Sequence, residues 1–167
     1  MNNRLPKHHD INDYFALLGK VSVRLSQLDH LVSFAIGYLA SKDNPGYVVY
    51  ITNEIISIPA RLKILDSLGD KILPEKVNIE LKKYISQIKG INKRRNSYIH
   101  TMWDTSHTPP YHFNWKKLDS SDIFERVSFN NLQTLADDAE KTAQEFYDFM
   151  DTNIRQPTGR GPASIKL

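Results

Sequence analysis

Apolar residues recur along this chain at alternating steps of three and four, the spacing that lines side chains along one face of an α-helix. The first such stretch runs from about Asn12 to Ser41, with beats at Phe15, Leu18, Val21, Leu25, Leu28, Val32, Ala35 and Leu39. Asp43-Asn44-Pro45-Gly46 breaks it. Tyr47 to Ile56 is rich in β-branched and aromatic residues, yet no partner strand is evident nearby. Ser57-Ile58-Pro59 then reads as a cap and a fresh helix start, so the stretch before it is assigned as a short helix. A helix from about Pro59 to Ile72 turns Leu62, Leu65 and Leu68 inward, and Leu73-Pro74-Glu75 leads into a longer one from about Glu75 to Met102. The last helix is capped by Ser128 and has beats at Leu132, Leu135, Ala139, Ala143, Phe146, Met150 and Ile154.

The segment from Asp104 to Arg126 breaks the rhythm. Thr108-Pro109-Pro110 interrupts regular structure, and Tyr111-His112-Phe113-Asn114-Trp115 alternates as a strand does, which predicts a small β-hairpin between about Tyr111 and Val127. The pattern as a whole predicts an all-α fold: a four-helix-type up-down bundle over residues 12–154, with a short extra helix and this hairpin before the last helix. Residues 1–11 and 155–167 read as disordered termini, the latter a basic tail able to touch a polyanion.

Composition narrows the function classes. At 167 residues and 40% apolar content the chain is long enough for one domain with a real core. It has no cysteine, so disulfides, thiolate zinc sites and a thiol nucleophile are excluded. The sequence lacks an apolar leader or an apolar run of spanning length, which predicts a cytoplasmic protein without a membrane. A net charge of +3 is compatible with a nucleic-acid partner but does not require one. No glycine-rich phosphate loop or nucleophile elbow occurs, and no cofactor is implied.

The candidate chemistry lies on the third long helical repeat. Its beats are Val77, Leu81, Tyr84, Ile88, Ile91, Tyr98 and Met102, with one beat skipped, and Arg95 occupies the skipped position. A guanidinium stays charged in a protein and is seldom set on a seam without an anion or a wet cleft to face. Asn96 and His100 are four apart and therefore neighbours on one face, with Arg95 about 100° round the helix from Asn96. Lys89, Lys93 and Arg94, with Lys82 and Lys83, form a cationic surface able to follow an RNA backbone, although such charge runs are usually just solvated faces. Tyr98, Trp103 and Trp115 are candidates for stacking on bases, against which the place of Tyr98 on the seam favours packing.

Arg95-Asn96-Ser97-Tyr98-Ile99-His100 resembles the signature of the HEPN domains, small helical bundles in which Arg is followed roughly four to six residues later by His, often with Asn directly after the Arg. Arg24 and His30 meet the same spacing on the first helix, and Arg94 to His100 is also within range. The added Asn and the position near the end of the long helix favour Arg95 to His100. The resemblance implies an all-α bundle that pairs through its motif helices and, in many members, a metal-independent endoribonuclease in a toxin-antitoxin or defence setting. Arg95, Asn96 and His100 would then be catalytic, and Lys89, Lys93 and Arg94 would bind RNA.

The chemistry needs a base for the 2′-hydroxyl, an acid for the leaving 5′-oxygen and a cation for the phosphorane. One chain offers a single motif histidine, so a homodimer with two copies in one cleft would supply both roles. The alternatives are a polar network without turnover, as in a non-catalytic interaction module or the partner of a nucleotidyltransferase, and a metal site from His100, Asp104, His107 and His112. Adjacent His8 and His9 form a weaker metal candidate.

Overall fold

A computed structural model describes residues 9–41, 43–55, 57–114 and 123–155. Helix α1 spans Ile11–Ala40, α2 Pro45–Ile55, α3 Ile58–Ile72, α4 Glu75–Ile99 and α5 Phe129–Met150, and a π-helical turn follows at Asp151–Arg155. Between α4 and α5 lie three short strands, β1 (Trp103–Asp104), β2 (Tyr111–Phe113) and β3 (Phe124–Arg126), in one antiparallel sheet ordered β1-β2-β3. The all-α class, the short extra helix and the β element before the last helix are as the sequence pattern predicts. Of the termini predicted at residues 1–11 and 155–167, residues 1–8 and 156–167 lie outside the described residues, as does Trp115, whereas Ile11 opens α1 and Arg155 closes the π-helical turn.

Local chemistry sets the helix ends. Asp10 Oδ1 accepts from the backbone N–H groups of Asn12 and Asp13 at 2.8 and 3.0 Å, while Asp13 Oδ2 accepts from Asp10 N–H at 3.1 Å, a reciprocal cap that starts α1. Pro45 opens α2 at the first helical position, where its missing N–H costs nothing. Ser128 starts α5, its Oγ accepting from Asn131 N–H at 3.3 Å.

The chain divides into two compact units. The first takes in Met1–Leu25 and Gly90–Glu140, the second Ser26–Lys89 and Lys141–Leu167. In the first, Tyr14, Leu17, Val21, Ile91, Leu132 and Leu135 form a buried core beside the small sheet. In the second, Leu28, Val32, Leu62, Leu81, Ile88 and Phe146 are buried. Every inward position predicted for the last helix, Leu132 through Ile154, is buried.

Two expectations are corrected. At the start of α1 the buried pair is Tyr14 and Leu17, whereas Phe15 is 48% exposed and Leu18 half-buried. Both pairs fit the period back from Val21, and Tyr14 wins by packing edge-on to Phe129. The third long helix ends at Ile99, three residues early, and Met102 is 63% exposed instead of buried. Its last turn is intercepted: the Trp103 indole N–H donates to the Tyr98 carbonyl at 2.7 Å, and Met102 O accepts from Phe113 N–H at 2.8 Å, which commits the backbone to the sheet.

Candidate functional site

The end of α4 gathers the three motif residues. An Arg95 Nη1–H donates to Asn96 Oδ1 at 3.0 Å, and the same nitrogen lies 3.3 Å from His100 Nε2. A guanidinium can only donate, so a hydrogen bond between the two has His100 Nε2 as its acceptor. His100 is exposed in the turn that closes the helix, where its N–H reaches Asn96 O at 3.4 Å, while Arg95 is half-buried. Arg95 Nε is buried with no hydrogen-bond partner, and among the described residues no carboxylate pairs with this guanidinium. The site is therefore a half-buried cation with unspent hydrogen-bonding capacity and an imidazole held beside it.

The cations around it differ in what they already hold. Arg94 is engaged by Asp138 at 2.7 Å, and Lys82, in the second unit, by Asp70 at 2.7 Å. Lys93 is exposed in the first unit and Lys89 in the second. The rival motif is occupied elsewhere: Arg24 binds Glu140, which Lys20 also meets at 3.0 Å, and His30 is exposed in the second unit.

Of the rings considered for stacking, Tyr98 is half-buried and lies 5.6 Å from His112, centroid to centroid. Burial, and secondarily the Glu125 carboxylate, push its phenol above the ordinary range, and Arg94 opposes them. His112 is buried, with Nε2 at 3.5 Å from Glu125, and His107 contacts Ser106 at 3.3 Å. His100, Asp104, His107 and His112 do not gather, and among the described residues no group of three or more potential ligands could hold a metal ion. His9 stacks on Phe129 at 3.5 Å and approaches Asp13, and its neighbour His8 lies outside the described residues.

Sequence reasoning missed the cleft next to this cluster. Phe15, Leu18, Gly19 and Ser22 of α1 face Tyr98, Ile99, Thr101 and Trp103 across a space of about 420 Å³. The signal was present but ambiguous, because Phe15 and Leu18 fit the same period as the residues that are buried. Also missed was a buried cluster in the second unit, where Arg61 donates to Ser33, Asn53 and Asp29 at 2.7, 2.8 and 2.7 Å. Its position four residues before Leu65 places Arg61 on the inward stripe of α3, a readable clue.

Among the described residues no helix is long and apolar enough to cross a membrane. Scans against family models, curated proteins and solved structures return no match for this chain.

Proposed function

We propose that this chain is a HEPN-type, metal-independent endoribonuclease that works as a homodimer, with Arg95, Asn96 and His100 as its catalytic residues. The observation that carries this reading is the Arg95 guanidinium, bonded to an amide and an imidazole with no carboxylate partner among the described residues. Such a fork is suited to the paired oxygens of a phosphate. A phosphate arriving on Arg95 competes with the imidazole for the same N–H, which frees His100 Nε2 to take the proton of a 2′-hydroxyl. The 2′-oxygen then attacks phosphorus, the P–O5′ bond breaks, and a second acid protonates O5′ as it leaves. His100 of a second copy is that acid in this reading, which makes pairing part of the mechanism. Asn96 keeps its amide N–H groups for the ribose or the phosphate while its oxygen orients Arg95. Lys93 and Lys89 are exposed cations on α4 and Arg94 is bound by a carboxylate, and in this reading they serve the RNA backbone away from the fork. The setting that goes with this activity is cytoplasmic toxin-antitoxin or defence work.

The test is incubation of end-labelled single-stranded RNA in EDTA with wild type, Arg95→Ala and His100→Ala. Cleavage by wild type and loss of at least about a hundredfold in each variant is expected, His100 being the positioned proton-transfer group and Arg95 the cation on the phosphate. Intact RNA with wild type, or equal cleavage by the variants, refutes the reading. A second reading, a non-catalytic module that binds another protein such as a nucleotidyltransferase, is favoured by the exposed apolar face of α2. Tyr47, Tyr50 and Ile51 are 64%, 67% and 39% exposed there at helical spacing. Full retention of RNA together with stable capture of such a partner would establish it.

A further inference from the structure

The cleft beside the Arg95 cluster is mainly apolar, with the aromatic rings of Phe15, Tyr98 and Trp103 among the aliphatic Leu18 and Ile99. The rings of Phe15 and Trp103 form a tilted pair, their centroids 6.3 Å apart and their planes at 42°. Its polar hydrogens are already committed: the Trp103 indole N–H to Tyr98 O, the Ser22 hydroxyl to Leu18 O and the Thr101 hydroxyl to Phe113 O. The bond from Trp103 also fixes the plane of the indole. A ligand here meets oriented π faces, with Phe15 half open to solvent.

Arg95 supplies the other half of the argument. It precedes the cleft residues Tyr98 and Ile99 by three and four positions, and so shares their face of α4. A guanidinium without a carboxylate among the described residues, on the same helix face as two residues of an aromatic cleft, matches the two parts of a nucleotide: phosphate on the fork and base on the ring. We propose that the Phe15–Trp103 cleft receives an unpaired RNA base next to the phosphate held by Arg95, with the modest preference among bases that stacking strength gives. Selective cleavage rests on the ribonuclease reading above, whereas selective binding does not.

The two are separated by measuring binding apart from turnover. In full-length protein carrying Trp115→Phe and His100→Ala, Trp103 is the single indole and RNA is not consumed. Titration with short single-stranded oligo(A), oligo(U) and oligo(C) should quench Trp103 fluorescence saturably and with different affinities. Phe15→Leu keeps apolar bulk but removes the π face, and should weaken binding on the order of tenfold and flatten the ranking, while Phe15→Tyr restores both. Phe15 is too exposed for these changes to threaten folding. Unchanged affinity and ranking in Phe15→Leu overturn the proposal. So does a fall in molar mass by light scattering with RNA affinity per protomer unaltered, which would assign the cleft to a second copy. Cleavage by wild type with a base preference indifferent to Phe15→Leu removes the base site and leaves the ribonuclease. Phe15-dependent quenching without cleavage by wild type does the reverse, and absence of RNA binding removes both.

Discussion

Replacing Arg61 by Met should destabilise the protein by about 3 kcal/mol, through the charge it abandons rather than the volume it changes. The Arg61 side chain is 7% exposed and pairs with Asp29, 26% exposed, at 2.7 Å. It also donates to Ser33 Oγ and Asn53 Oδ1, and Ser33 in turn donates to Asn53 Oδ1 at 2.7 Å. Removing one member of a buried ion pair typically costs about 3–5 kcal/mol, because the remaining charge stays desolvated. Water reaches a quarter of Asp29, which places the figure at the low end. Asp29 Oδ1 and Arg61 Nε are buried without partners, so the wild-type cluster is not fully satisfied and its net worth lies below the cost of breaking it. At roughly 2–4 °C per kcal/mol for a chain of this size, the midpoint of thermal unfolding should fall by about 6–12 °C. Asp29→Leu combined with Arg61→Met removes both charges and should recover much of the loss. Urea denaturation of wild type, both single variants and the double closes the cycle. A single variant within about 0.5 kcal/mol of wild type, the usual surface value, or a double variant with purely additive losses, would refute this account of the cluster.

Two further outcomes follow from the geometry. Gly37→Ala should destabilise by about 1–3 kcal/mol despite the better helix propensity of alanine, since the new Cβ would sit 2.7 Å from Pro45 O, a backbone atom that cannot swing aside. The urea midpoint reports it, and an unchanged or raised midpoint would count against the close approach of α1 and α2. Glu140 is held below its ordinary value of 4.5, first by the hydrogen bond from Lys20 and then by the charge of Arg24. A depressed carboxyl contributes stability that is present above its unfolded value and lost as the pH falls through the folded one. Wild type should therefore lose its advantage over Glu140→Gln as the pH falls below the ordinary value of 4.5 and on through the lowered one, and a gap between the two that persists in strong acid would contradict the pairing.

The helices were legible because burial repeats with the period of the helix, and Leu132 to Ile154 is the plainest case. The cap at Ser128 was legible, whereas Asp10, read as part of a disordered terminus, caps α1 with its carboxylate, and Ser57, read as a cap, makes no side-chain cap bond. Legibility failed where two apolar residues competed for one beat. Phe15 and Tyr14 are adjacent, and the choice between them was made by Phe129, far away in sequence. It failed again at Met102, whose spacing continues the helix although the indole of Trp103 and the N–H of Phe113 end it. A strand of two residues, Trp103–Asp104, has no period to read and exists only through its pairing with Tyr111 and His112. At the candidate site, spacing brought Asn96 and His100 to one face. That Arg95 would bridge them depended on side-chain geometry that spacing does not specify.

The proposed chemistry is tested most directly by the new 3′ end of the RNA, which mass spectrometry of fragments made in EDTA identifies. A 2′,3′-cyclic phosphate, made by wild type and absent with Arg95→Ala or His100→Ala, is the expected result, because the attacking oxygen belongs to the substrate. A 3′-hydroxyl with a 5′-phosphate on the other fragment, or the same cyclic ends from both variants, would contradict it.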